Sequence, residues 1–505
     1  MAEKKFGTKS HCKDAFNNCS ESELMNKIRR LPMVALIVGL IILTAIQIDR
    51  HSYKSKYEYF GGNSIEIVDS KQSSKIFTII CHGYAGSKEM MRQIAFDIAN
   101  AGSNAVLFDF IGHGSNSDQL VNNPTELSGT TQQLVDQLIS LIDFLETEYG
   151  SDIKLYLIGH SMASDIVIRA SEYKNISSIA AISPYSTKVT KSFPNDLLLI
   201  SGQFEKHLRS HALKFTQLVD PNANENIEYL NGPNRRKASY TENTGHVSVI
   251  YSPKTSIEII DWFKLNYYAR PFWATHIMWT LISLTLITFG LSRLSISKQT
   301  YQKRDSISKA RSVFISFSSL TIACLSSFVQ FEPFSIFGFG SIATYFGLYG
   351  IIILCLSNKI REDFVKFYFI PFMKLVLTFL FLAILINHFV GSFFLTHQRV
   401  FAFLTILAPV TIFCMATEKL ISMSARTVSV FIRIVPILGF TILLTLYPGQ
   451  YGVMFTTVPI YIFYYIVFGF IGKCQRSSIG SCSVGAAHGV FLAFAFAATN
   501  PIFSI

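Results

Sequence analysis

Leu157-Ile158-Gly159-His160-Ser161-Met162-Ala163 carries an apolar strand directly into a helix, with a serine at the junction. A serine in that place sits on a sharp turn, and the small residues two before and two after it let neighbouring backbone pack close. The turn presents the hydroxyl above the sheet, and the helix N-terminus adds partial positive charge beside it. Gly-x-Ser-x-Ala alone occurs by chance; placed between a strand and a helix it reads as a nucleophile.

Working outward, strand-like runs fall at Ile76–Cys81, Ala105–Phe110, Ile153–Ile158, Ile176–Ile182 and Leu197–Ser201. Helical patterns lie near 87–101, 130–149, 161–174, 206–219 and 254–267. This alternation predicts a mostly parallel sheet covered by helices on both faces. Such sheets place their chemistry at the carboxyl ends of the strands, and three more unusual segments sit there. Cys81-His82-Gly83-Tyr84-Ala85-Gly86-Ser87 is a turn that can aim a backbone N–H at the nucleophile. Phe108-Asp109-Phe110-Ile111-Gly112-His113-Gly114-Ser115 has glycines suited to sharp reversal. Gly245-His246-Val247 puts a histidine in a loop before the last amphipathic helix.

These four elements, in this order and spacing, resemble the α/β-hydrolase superfamily over roughly residues 56–268. The resemblance is strongest to its single-domain esterases, monoacylglycerol-lipase-like enzymes and serine aminopeptidases. It implies a triad in chain order Ser, Asp/Glu, His. Ser161 matches the nucleophile and His246 the base; Tyr84 and Met162 match the two residues whose N–H groups form the oxyanion hole. The acid falls in the loop after Leu197–Ser201, which places Glu205 there, with Asp220 and Glu225 as alternatives. The sequence departs from the commoner pattern in having Ala163 where glycine is usual and glutamate where aspartate is usual. Pro184–Asn195 is short where relatives often insert a helical lid, so an open, lidless site is expected. The implied chemistry is cleavage of an acyl ester through an acyl-enzyme, with no metal and no organic cofactor. An acyltransferase using the same intermediate, or a non-catalytic membrane protein keeping only the fold, are the rival readings.

Composition shows where this domain works. Of 505 residues, 50% are hydrophobic and only 15% charged, and mean hydropathy is +0.35. Soluble chains carry about 25% charged residues. A disordered, collagen-like, disulfide-scaffold or wholly cytosolic protein is excluded. The basic leader 1–30 precedes an apolar anchor at 31–48; its length and the lack of a small-residue cleavage site argue against a signal peptide. After the hydrolase-like domain, 52–268, apolar segments recur near 272–292, 313–331, 334–356, 367–394, 400–416, 427–447, 452–472 and 481–500. The region 272–505 therefore reads as about eight transmembrane helices.

Charge sets the orientation. With a cytoplasmic N-terminus, the inward segments 1–30, 293–311, 357–366, 417–426 and 473–480 hold 7, 6, 3, 2 and 2 Lys/Arg. The outward loops near 332–333, 395–399 and 448–451 and the tail 501–505 hold one, Arg399. This is the positive-inside pattern, so the net charge of +11 reflects topology and no nucleic-acid partner is implied. The expectation is a multi-pass protein of a bacterial cytoplasmic membrane, with its hydrolase domain outside the cytoplasm. Its partners are the lipid bilayer and an amphiphilic acyl substrate such as a lysolipid or monoacylglycerol; no oligomeric state is implied. Among polar groups of the helical region, Asn387, His388 and His488 read as deep, and His397, Arg399 and Glu418 as interfacial. Eight cysteines without a CxxC pair imply neither a disulfide framework nor a metal site.

Overall fold

Successive residues of a strand point to opposite faces of its sheet, and in the central strands both faces are dry. In Lys154–His160, Leu155 and Leu157 enter one core while Tyr156 and Ile158 enter the other. In Asp196–Gly202, Leu197 and Leu199 oppose Leu198 and Ile200 in the same way. Double burial of this kind is why these strands read as unbroken apolar runs. The computed structural model describes residues 10–121, 127–266, 276–294, 306–328, 332–358, 360, 367–465 and 480–504.

The sheet has nine strands: β1 (Ser55–Phe60), β2 (Asn63–Val68), β3 (Ile76–Cys81), β4 (Asn104–Leu107), β5 (Lys154–His160), β6 (Ser178–Ile182), β7 (Asp196–Gly202), β8 (Glu228–Asn231) and β9 (Asn234–Thr241). Their spatial order is β1-β2-β4-β3-β5-β6-β7-β9-β8. From β4 through β9 the neighbours run parallel, while β1, β2 and β8 close the edges antiparallel. One face packs against the Leu127–Tyr149 and Met162–Ala170 helices, the other against Arg92–Asn100 and Pro253–Trp262. The expected sheet is present, with four strands that the sequence pattern did not mark.

A third core belongs to the helical region. Six helices there and at the N-terminus are long and apolar enough to cross a membrane among the described residues: Arg30–His51, Phe339–Leu356, Phe369–Phe389, His397–Met423, Arg426–Leu446 and Ser481–Thr499. The expected spans near 272–292 and 313–331 appear as His276–Leu294 and the shorter Lys309–Cys324. That near 452–472 has a single 3-10 turn at Gly452–Met454 and is helical at 457–465, and residues 466–472 lie outside the described residues. So do residues 1–9, 295–305, 361–366 and 466–479, which hold much of the basic sequence assigned to the cytoplasmic side. Small residues set the packing, as membrane helices favour: Gly485 and Gly489 lie against the backbone of Met415 and Thr411.

The sheet domain is joined to the bundle by more than its two tethers. At the end of the first helix, Arg50 donates to the carbonyls of His388 and Phe389 at 2.8 Å each, and His388 Nε2 meets Gln47 at 2.8 Å. Asn387 and His388 thus belong to this junction, not to the bundle's depth as their sequence position suggested, because the Phe369–Phe389 helix ends there. His488 is fully buried, with Tyr464 edge-on. The C-terminal residues form a short strand-like bridge beside Leu120 on one side and Ile336 on the other, and the Ile502 N–H donates to Gly112 at 2.9 Å. Arg399, the lone cation of the loops expected to face outward, is buried here. It donates to the carbonyls of Ala497 (2.8 Å), Asn500 (2.6 Å) and Gly112 (3.4 Å), tying the last helix to the sheet domain.

Candidate active site

β5 ends at His160, and the helix begins at Met162, leaving Ser161 to make the turn alone with φ 55° and ψ −116°. A non-glycine residue held at positive φ costs about 1–3 kcal/mol and persists only where its surroundings fix it. They do. The Ser161 N–H donates to Ile182 at 2.8 Å, and its carbonyl accepts from the Ser164 N–H (2.9 Å) and hydroxyl (2.6 Å). The turn after β3 lies against it. A β-carbon on Gly83 would stand 3.1 Å from the Ser161 Cβ and 2.9 Å from His160 Nδ1, so only glycine allows this approach. Met162, the first residue of the helix, directs its N–H out of the helix start.

Glu205 and His246 come from two loops that meet at the carboxyl end of β7. Gly202 makes that meeting possible, since a β-carbon there would lie 2.7 Å from the Thr244 carbonyl oxygen. The Phe204 N–H donates across to the same carbonyl at 3.0 Å. The result brings three sequence-selected residues into one relay: His246 Nε2 is 2.9 Å from the Ser161 hydroxyl, and His246 Nδ1 is 2.6 Å from Glu205 Oε1. This arrangement suits an imidazole protonated at Nδ1 that accepts from the serine at Nε2. The other carboxylate oxygen accepts from the Gly202 N–H (2.5 Å) and the Ser183 hydroxyl (2.8 Å). Burial would raise the Glu205 pKa, but the hydrogen bonds from His246, Gly202 and Ser183 outweigh it and hold the carboxyl below its ordinary value. The two alternatives stand elsewhere: Glu225 pairs with Arg209 at 2.6 Å, and Asp220 accepts from the Asn222 N–H.

Supporting groups that motif reading did not assign surround the relay. His160 donates from Nε2 to the His246 carbonyl at 2.8 Å, fixing the backbone that carries the imidazole. Burial lowers its pKa to about 4, so the ring is neutral at pH 7. Ser183, which orients Glu205, follows β6 directly with φ 52°. Beneath the Gly83–Gly86 turn, Asp109 is fully buried and binds Lys88 Nζ (2.8 Å), the Lys88 N–H (2.8 Å) and the Ser115 hydroxyl (2.7 Å). Burial opposes its ionisation, but the charges of Lys88 and His82 and the hydrogen bonds from Lys88 and Ser115 prevail, leaving the pKa at about 2.

Asp109→Asn removes the nearer counter-charge of the buried Lys88 ammonium and leaves only Glu89 at 3.9 Å, and loss of about 3 kcal/mol is expected. Thermal denaturation of the full chain in detergent should show a clearly lowered midpoint at pH 7. Because the folded pKa lies below the unfolded one, the Asp109 contribution is present above about pH 4 and disappears as pH falls toward 2. The difference between wild type and variant should shrink over that window.

Tyr84 faces the bundle. Its ring stacks on Phe455 at 5.3 Å and on Phe503 at 6.4 Å, so the turn implicated as an oxyanion donor is packed against helical-region residues. Residues 184–195 carry no helix, in keeping with a site that lacks a lid at that position.

Residues 72–244 match the family model described as serine aminopeptidase, S33. No curated protein matches the sequence. Similar solved structures include TT1662 from Thermus thermophilus, with 15% identity, 42% of this chain and 97% of that chain covered, and TM-score 0.32. A Xanthomonas campestris serine hydrolase described as lacking a lid gives 14%, 41%, 90% and 0.31 in the same terms. A soluble variant of Saccharomyces cerevisiae monoglyceride lipase gives 11%, 42%, 94% and 0.30.

Proposed function

Its sheet domain being an α/β hydrolase, we propose that the protein is a membrane-bound serine hydrolase that cleaves acyl esters with Ser161, His246 and Glu205. The observation that carries this reading is the relay of 2.9 and 2.6 Å built on a serine held at φ 55°. His246 takes the Ser161 proton through Nε2 as the hydroxyl oxygen attacks the ester carbonyl. Glu205 keeps the ring in its tautomer and stabilises the imidazolium that forms. The developing oxyanion takes N–H groups of Tyr84 and Met162, each donor contributing about 3–4 kcal/mol in comparable sites. His246 then returns the proton to the leaving alkoxide, and a water activated the same way releases the acid.

Purified full-length protein in lipid nanodiscs should release free acid from a panel of acyl esters. Transfer of the acyl group to an added alcohol, with no acid released in its absence, would contradict hydrolysis as the reaction.

The sheet domain is placed outside the cytoplasm by the same reading. Twenty Lys/Arg fall in the inward segments against one in the outward ones. The bundle segments that touch the sheet domain at Gly112, Leu120 and Glu89 come from the ends assigned outward. A cysteine introduced at Asn222, in an exposed loop, should react with a membrane-impermeant maleimide in intact cells. Protection until the membrane is permeabilised would reverse the orientation.

A further inference from the structure

Between the sheet domain and the helical bundle lies an apolar cavity of about 540 Å³. One end is catalytic-site surroundings: Ala85 and Gly86, directly after Tyr84, and Val247, directly after His246. The walls then descend into the bundle along Leu281 and Leu284, Leu382 and Ile386, and Phe491 and Ala495, from three different helices. No charged side chain lines it. Its threonine hydroxyls are turned to partners: Thr285 and Thr288 donate to Leu281 and Leu284 carbonyls, and Thr499 to that of Ala495. At the seam, Ser392 donates to Glu89 at 2.9 Å and its N–H to the Ser87 hydroxyl at 3.2 Å, so both sides of the opening are held together.

The volume falls within the range of small-molecule sites, about 300–1,000 Å³. A polar headgroup placed there would lose its hydration without gaining partners; a hydrocarbon chain loses nothing. The cavity also runs from the residues next to Tyr84 and His246 into the apolar helices of the bundle. We propose that it holds the hydrocarbon tail of the substrate, a single long acyl chain esterified to a membrane lipid, so that the helical bundle forms the acyl-binding half of the active site. This rests on the reading of Ser161 as the nucleophile. Lipid tails are as apolar as the cavity wall, so burial gives little affinity over the bilayer. The cavity acts instead by placing the ester carbonyl, which is an effect on turnover, with chain length limited by the room available.

A fluorophosphonate carrying a sixteen-carbon chain with a terminal diazirine tests this in the full-length protein in phosphatidylcholine nanodiscs. After adduct formation and photolysis, cross-links are expected on His276–Leu294, Phe369–Phe389 and Ser481–Thr499. A Ser161 adduct whose cross-links fall wholly in the sheet domain or on lipid would overturn the cavity proposal while leaving the hydrolase reading intact. No adduct at Ser161 with either this probe or a short-chain fluorophosphonate would remove the hydrolase reading, and the cavity proposal with it. Independently, Ala495→Phe fills the cavity. The ratio of kcat/KM for a sixteen-carbon acyl ester to that for a four-carbon ester should fall at least about tenfold, as misfit of even one methylene can produce. An unchanged ratio in an active variant would count against the cavity.

Discussion

Ser161→Ala should lower kcat for ester hydrolysis by about 10⁴- to 10⁶-fold, the range seen when a triad nucleophile is removed. The loss follows from chemistry, because the oxygen proposed to form the acyl-enzyme is gone, while the proposed ester-holding groups, Tyr84, Met162 and the cavity, are untouched. KM is therefore expected to change little. Alanine can occupy the same backbone position with the Ile182 and Ser164 hydrogen bonds kept, and the fold should survive. Initial rates on purified variant and wild type decide the matter; activity within tenfold of wild type would assign the nucleophile elsewhere.

Glu205→Gln should cost about 10⁴-fold in kcat, as in triads whose acid is converted to an amide. The amide can present its oxygen or its NH₂ to His246 but cannot supply both a charge and two acceptor oxygens. Gly202 and Ser183 donate to one side of the carboxylate while His246 donates to the other. An NH₂ turned toward the ring would favour the tautomer protonated at Nε2, which cannot accept the serine proton. Asp220→Asn should be close to wild type, since Asp220 accepts from the Asn222 N–H and not from His246. The opposite ranking of the two variants would make Asp220 the orienting acid.

The parts of this molecule that burial enforces twice were the easiest to read from sequence. β3, β5 and β7 are apolar on both faces, and their expected ranges agree with the structure to within one or two residues. β1 escaped because it is an edge strand that alternates exposed with half-buried residues around Tyr57 and Tyr59, and β2 because its short apolar run is broken by Glu66, buried against Arg92. β9 escaped for a different reason: Arg235, Arg236 and Lys237 make it look like a solvated stretch. Yet Arg236 is fully buried, its guanidinium donating to carbonyls of Phe215 and Phe193 at 2.9 and 3.0 Å. Such pairing is made by tertiary structure and leaves no periodic trace.

The site divides in the same way. Ser161 and the Gly83 turn have local signatures, since their chemistry needs a strained elbow and a close backbone approach. Glu205 and His246 were legible through their order relative to Ser161. Ser183 and His160 were not, because each acts through a hydrogen bond to a residue far along the chain. The cavity was invisible for a related reason: its walls come from the sheet domain and several helices, and each contributes residues that read separately as ordinary core or lipid-facing positions. Asn387 and His388 were misplaced in depth because apolar residues continue past the point where the helix ends.

Peptide mapping of the fluorophosphonate adduct on the full-length protein in nanodiscs tests the central claim most directly. One rapidly formed adduct is expected, on the peptide containing Ser161 and absent from Ser161→Ala. An adduct at another serine that persists in that variant, or rapid labelling of none, would contradict it.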